Sequence, residues 1–227
     1  SGPLGVVIER ATGTLAIVDT SERRVLAEVP GLGDLSHASV VFSRDGGTAF
    51  VFGRDGALTR VNLLARRIEQ RVMQAGNSIG GAVSQDGTLV AAQNYQPGGV
   101  KVFDAKTLAL VADIPAEYAP GKLSRVVGLA DLPGQRFVFA LFDADQIWVA
   151  DLADPKAPKL TKFENIGRQP YDALVTPDGR HYIAGLFGED GLALIDLWAE
   201  KPQVRRILAG YGRGQEPLPV FKMPHLR

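Results

Sequence analysis

Four side chains with very different chemistry occupy matching places in this sequence. His37, Ser78 and Arg125 each stand nine residues before a turn glycine (Gly46, Gly87 and Gly134), and Tyr171 stands eight before a fourth, Gly179. An imidazole can ligate a metal or carry a proton. A guanidinium matches carboxylates bidentately. A phenol stacks on a flat ligand and still offers a hydrogen bond. Arg54, Tyr95, Asp143, Asp145, Arg168, Tyr211 and Arg213 lie in segments of the same phase. If one architecture brings these positions together, it makes a mouth rich in Arg and Tyr, suited to a large planar polycarboxylate such as a tetrapyrrole.

The repeat supplies that architecture. A β-branched or apolar pair followed by Asp or Asn ends at Asp19, Asn62, Asp104, Asp151 and Asp196, with spacings of 43, 42, 47 and 45 residues. Hairpin-type dipeptides precede the later markers: Asp45-Gly46, Asp86-Gly87, Pro133-Gly134 and Asp178-Gly179. Each unit divides into four short strands, for example Ala38–Phe42, Ala49–Phe52, Leu58–Asn62 and Ile68–Met73, or Val126–Leu129, Phe137–Leu141, Gln146–Ala150 and Leu160–Phe163. No segment holds a 3.6-residue period. Four antiparallel strands in about 45 residues make one β-propeller blade, so the fold class is all-β, a propeller of four-stranded antiparallel blades. The first unit begins part-way through, with strands near Val6–Ile8, Leu15–Val18 and Val25–Val29, and a new inner strand is expected near Leu218–Lys222. The phase fits either a closed five-bladed ring or an open part of a larger one. Residues 1–227 read as a single domain, with residues 1–5 as an extraneous or flexible start.

Composition narrows the function. Lys+Arg and Asp+Glu both number 25, so no net charge favours nucleic acid or an anionic membrane. The absence of cysteine excludes disulfides, thiolate metal sites, covalent haem attachment and cysteine nucleophiles. His37, His181 and His225 are the only histidines and have no metal-site spacing. Gly31-Leu32-Gly33-Asp34 precedes a strand instead of opening a helix, which argues against dinucleotide binding.

Each candidate also has a structural reading. His37 can cap a turn. Arg54, Arg168 and Arg213 can be solvated loop charges. Tyr95 and Tyr171 can be structural hydrogen-bonders. Arg125 has the stronger claim, since a guanidinium at a channel entry needs a partner when buried. Asp131 is an acid–base candidate whose strand-end position is equally explained by turn capping. His181 lies at the opposite end of its strand and reads as structural.

Leu35-Ser36-His37-Ala38-Ser39, followed by Ser43-Arg44-Asp45-Gly46 and Val51-Phe52-Gly53-Arg54-Asp55-Gly56, resembles the haem d1 propeller of the cytochrome cd1 nitrite reductases. Gly31 to His37, Gln74-Ala75-Gly76-Asn77-Ser78-Ile79-Gly80-Gly81 and Pro219-Val220-Phe221-Lys222-Met223-Pro224-His225 resemble its biosynthetic, NirF-type branch. The resemblance implies an eight-bladed propeller of which this chain covers about five blades. It implies His37 as axial ligand of a haem iron; as a proton-transfer group instead, His37 would be the catalytic candidate together with Asp131. It implies a d1-type tetrapyrrole, haem d1 or a dihydro-haem d1 precursor, with Arg125 as a holder of its carboxylates; the blade phase adds Arg54, Ser78, Tyr95, Arg168 and Tyr171 as candidates to hold the same ligand. Tyr171 falls where the reductases carry a distal His, so nitrite reduction is not expected. The implied role is a late step of haem d1 maturation in denitrification, with non-catalytic carriage of the cofactor as the alternative. The implied partners are cytochrome cd1 nitrite reductase and other haem d1 maturation proteins; the exposed faces and edges of an open propeller add a second copy of the chain as a partner. The implied compartment is the periplasm, with a lipid anchor in a segment outside this chain.

Overall fold

Short Gly- and Asp-bearing turns reverse the chain so often that neighbouring strands pair in sequence order. The computed structural model describes residues 3–210. The first sheet orders β1 (Leu4–Glu9), β2 (Thr14–Asp19) and β3 (Arg24–Val29); the second, β4 (Ser39–Phe42), β5 (Thr48–Phe52), β6 (Ala57–Asn62) and β7 (Arg67–Met73). The third runs from β8 (Asn77–Val83) through β9 (Leu89–Gln96) and β10 (Val100–Asp104) to β11 (Leu110–Ile114). A ribbon follows, β12 (Glu117–Ala119) with β13 (Lys122–Leu123). The fourth sheet holds β14 (Val126–Leu132), β15 (Arg136–Leu141), β16 (Gln146–Asp151) and β17 (Lys159–Phe163). The fifth holds β18 (Pro170–Val175), β19 (His181–Leu186), β20 (Leu192–Asp196) and β21 (Val204–Ile207). The four-stranded antiparallel blade read from the repeat is therefore the unit of the fold. Leu4 and Gly5, assigned above to an extraneous start, pair with Asp19 and Val18 in β1. The final inner strand near Leu218–Lys222, and Tyr211, Arg213 and His225, lie outside the described residues.

The strands read as nearly continuous apolar runs because both faces of each inner sheet are buried. Successive side chains point to opposite faces, and the core divides accordingly. In β5, Ala49 and Val51 pack with Leu15 and Ile17 of the first sheet, whereas Phe50 and Phe52 pack with Val90 and Ala92 of the third. In β15, Phe137, Phe139 and Leu141 meet Ala91, Val100 and Val102, whereas Val138 and Ala140 meet Tyr182 and Ala184 of the fifth. Four apolar clusters thus join five sheets in series. Among the described residues no such cluster joins the fifth sheet to the first, so these sheets form an arc and not a closed five-bladed ring.

The turns between the first and second strands of three blades share one chemistry. In Ser43-Arg44-Asp45-Gly46, Ser84-Gln85-Asp86-Gly87 and Thr176-Pro177-Asp178-Gly179 the hydroxyl donates to the Asp carboxylate at 2.5, 2.6 and 2.5 Å. The same carboxylate accepts the N–H of Gly47, Thr88 or Arg180, each at 3.0 Å. Each turn glycine has positive φ (71°, 74° and 72°), a conformation that suits glycine.

Candidate functional site

At the other end of the inner strands, the loops entering each blade meet the loops between its second and third strands. Three inner strands are bulged near this end, β8 around Ser78, β14 between Val127 and Ala130, and β18 between Pro170 and Ala173. A bulge adds a residue and re-aims its neighbours. Between these strands lies a cavity of about 250 Å³ whose walls include Gly80, Gly81, Gln93, Gly128 and Asp172.

The mouth above it is built by side chains from four consecutive blades. Arg54, from the loop after β5, lies 5.6 Å from the centroid of the Tyr95 ring at the end of β9. The Tyr95 hydroxyl is 3.0 Å from that of Tyr171 on β18, so one phenol donates to the other. Arg125, at the entry to β14, lies over the same Tyr95 ring at 5.9 Å and over Phe142 at 4.4 Å. Phe142 meets Tyr171 edge-on at 5.8 Å, and Phe187 lies 5.9 Å from Phe142 and 6.0 Å from Tyr171. Edge and tilted contacts of this kind, with guanidinium groups on the ring faces, make a continuous aromatic–cationic wall.

The electrostatics of this wall are set by few contacts. Arg125 forms a two-pronged pair with Asp143, Nε to Oδ2 at 3.0 Å and Nη2 to Oδ1 at 2.6 Å, and its backbone N–H donates to the same carboxylate at 2.9 Å. The hydrogen bond to Asp143 raises the affinity of Arg125 for its proton. Burial opposes ionisation of Asp143, but the hydrogen bonds from Arg125 outweigh it and hold the carboxyl below its usual range. Burial, then the bond to Tyr171, pushes the Tyr95 phenol well above its usual value, so it stays protonated.

His37 is exposed, in the loop leading to β4. That loop is tied to the loop of Arg54, whose backbone N–H donates to the Asp34 carbonyl at 2.8 Å. Arg168 borders a cleft of about 480 Å³ with Phe142, Asp143 and Asp145, and donates to the Gly188 carbonyl at 2.5 Å. The structure thus brings Arg54, Tyr95, Arg125 and Tyr171 together, with His37 and Arg168 on flanking loops of the same face.

Two candidates are placed elsewhere. Ser78 is fully buried and its hydroxyl donates to the Gln93 carbonyl at 2.8 Å, so it pins the bulge of β8. Asp131 lies at the far end of β14 from Arg125, where its carboxylate pairs with Arg44 at 2.8 Å. The ion pair and its place on the opposite face separate it from the mouth.

Phe142, Phe187 and the pairing of Asp143 with Arg125 were not singled out from the sequence. A signal for the rings exists: Phe52-Gly53-Arg54-Asp55, Phe142-Asp143-Ala144-Asp145 and Phe187-Gly188-Glu189-Asp190 repeat Phe-x-x-Asp in the same blade phase. Among the described residues no group of three or more His, Asp or Glu side chains gathers to hold a metal ion.

The chain is 64% identical to "Protein NirF" of Stutzerimonas stutzeri over its whole length, and spans 58% of that protein. It is 30% identical to the "Dihydro-heme d1 dehydrogenase" of Pseudomonas aeruginosa over 98% of this chain and 43% of that one. The solved structure of dihydro-heme d1 dehydrogenase NirN in complex with DHE superposes with a TM-score of 0.79 at 29% identity, covering 92% of this chain and 45% of NirN. The family model of the cytochrome D1 heme domain matches residues 1–227, and the chain belongs to that family.

Proposed function

We propose that this propeller binds a haem d1-type tetrapyrrole at the channel mouth and acts in a late step of haem d1 maturation for nitrite reductase, in the periplasm. The observation that carries this reading is the wall of Tyr95, Phe142, Tyr171 and Phe187 faced by the guanidinium groups of Arg54 and Arg125. Flat rings and cations at one mouth match a flat macrocycle with carboxylate substituents, and the similarity to NirF and to NirN with DHE points the same way.

The residues present fit such a ligand. The aromatic wall gives its faces an apolar surface and excludes water from them. Arg54, on the loop after β5, and Arg168, on the loop before β18 and 3.9 Å from Glu189, offer guanidinium groups to meet carboxylates. If the macrocycle carries iron, the imidazole of His37 on the rim would be the group of this mouth able to hold it. Tyr171, hydrogen-bonded to Tyr95, offers a phenol where a proton donor is useful. Asp131 and Ser78 have no part in this arrangement.

A second reading, carriage without chemistry, is favoured by the openness of the rim, where His37 and Arg125 are exposed. The test is to supply the full-length protein with dihydro-haem d1 and an electron acceptor, then add apo nitrite reductase. Maturation predicts a spectrally distinct product that forms before the reductase is added. Carriage predicts unchanged ligand that moves to the reductase. Failure to bind the ligand contradicts both.

A further inference from the structure

Ser124 is fully buried where four segments meet. Its N–H donates to the carbonyl of Ala116, just before the β12–β13 ribbon, at 3.2 Å. Its carbonyl accepts the N–H of Gly99, in the loop after β9, at 3.1 Å. Its hydroxyl donates to the Arg125 carbonyl at 2.9 Å and accepts the Asp143 N–H at 3.0 Å. The third blade comes so close that a Cβ on Gly98, at φ +108°, would collide with the Ser124 carbonyl oxygen. Arg125 and Asp143, already paired through their side chains, are thus fixed through their backbones as well. The Phe142 N–H adds a bond to the Arg125 carbonyl at 3.1 Å, and the Phe142 ring receives the guanidinium at 4.4 Å.

A guanidinium held this way is not free to turn towards a ligand, and the carboxylate bound to its Nε and Nη2 cancels its charge. It offers instead a rigid, flat group set against two rings from different blades, Tyr95 of the third and Phe142 of the fourth. Arg54 is built differently. Its guanidinium lies near the Tyr95 ring and makes no hydrogen bond or ion pair among the described residues. The neighbouring Asp55 carboxylate is held by Arg71 at 2.6 Å. On the proposed reading that the mouth binds a tetrapyrrole, we infer that Ser124 and Asp143 are positioning residues: they fix Arg125 as a strut that sets the Tyr95–Phe142 wall, and Arg125 itself takes no ligand carboxylate.

The test measures two quantities on the full-length protein: affinity for haem d1 by absorbance, and the near-ultraviolet circular dichroism of the tyrosines without ligand. Asp143→Asn frees the Arg125 charge but loosens the strut. It is expected to weaken haem d1 binding about tenfold, the worth of one charge-assisted hydrogen bond. Ser124→Ala removes only the hydroxyl, and is expected to act in the same direction. Arg125→Ala combined with Asp143→Asn is expected to bind no worse than Arg125→Ala alone, because Asp143 acts through Arg125. Asp143→Asn and Ser124→Ala are both expected to alter the tyrosine signal of the unliganded protein. Unchanged or tighter binding by Asp143→Asn overturns the strut, since a guanidinium that binds a ligand carboxylate would bind it better beside a neutral partner. Additive losses in the double variant overturn it too. Where Asp143→Asn does not fold, Ser124→Ala decides by the same criterion. If the wild type binds no haem d1, the tetrapyrrole reading fails, and the tyrosine signal alone judges the strut: a signal unchanged in both variants overturns it.

Discussion

The Tyr95 hydroxyl is held by Tyr171 at 3.0 Å, and its ring lies 5.6 and 5.9 Å from the guanidinium groups of Arg54 and Arg125. Its raised pKa means that the folded protein keeps this proton at pH values where an unfolded chain has lost it. The stabilisation is intact below the ordinary phenol value of about 10 and is lost as pH rises above it. Tyr95→Phe is expected to cost about 1 kcal/mol at neutral pH, the worth of one hydrogen bond. It should also flatten the loss of stability between neutral and strongly alkaline pH, measured by urea unfolding across that range. An unchanged alkaline profile would mean that the phenol pair does not form. The distance from the turn glycine placed His37, Arg125 and Tyr171 at the entry ends of their inner strands, which is where they lie. The sequence hid the Arg125–Asp143 pair because the partners are 18 residues apart, at a strand entry and beyond a strand end. Only the pairing register of β14 with β15 brings them together.

The blade depends on its turns, and there the chemistry is repeated. Asp45 and Asp178 are held below the usual carboxyl range chiefly by the hydroxyls of Ser43 and Thr176. In Asp86 burial opposes the charge, and hydrogen bonds from Ser84, Thr88 and Gln135 more than offset it. Gln135 belongs to the fourth blade, so its bond to Asp86 at 2.6 Å ties two blades together. A depressed carboxyl pKa stabilises the fold above the unfolded value of about 4, and that stabilisation disappears as pH falls towards the folded value. Asp86→Asn should therefore be less stable at neutral pH and lose less on acidification than the wild type, as followed by circular dichroism. Parallel acid profiles would exclude this origin. Gly56 shows the steric side of the same design: φ is +84°, and an added Cβ would lie 1.9 Å from the Ala75 carbonyl oxygen. Gly56→Ala is expected to destabilise by about 2 kcal/mol or more, since neither backbone can yield cheaply. A thermal midpoint equal to wild type would contradict it. The Ser/Thr-x-Asp-Gly turns were legible as hairpin signals. The β12–β13 ribbon was not, because Glu117-Tyr118-Ala119-Pro120-Gly121-Lys122-Leu123 has neither strand alternation nor a place in the repeat.

Across the whole molecule, the repeat period predicted the blade, but the number of blades in a ring needed the packing. Four apolar clusters linking five sheets leave the outward face of the fifth sheet, with Ile183 and Leu194 only partly buried, without an apolar cluster of its own among the described residues. Sheets with an uncovered face and open ends tend to associate. The 227-residue chain expressed alone is expected to elute from size exclusion well above its 24.3 kDa mass. A stable, non-associating monomer would contradict association through the uncovered face of the fifth sheet. The same arc explains why the mouth is built from consecutive blades: each contributes one entry loop and one loop between its second and third strands, so distant residues converge without any local motif.

The most direct measurement is an absorbance titration of the full-length protein with haem d1, run in parallel on wild type and His37→Ala. Saturable binding, with a spectrum that changes when His37 is lost, is the result that the proposed reading predicts, because on that reading the rim imidazole of His37 would bind the iron. No binding by the wild type would contradict the tetrapyrrole site at the channel mouth. Identical spectra for the two proteins would remove His37 from the iron.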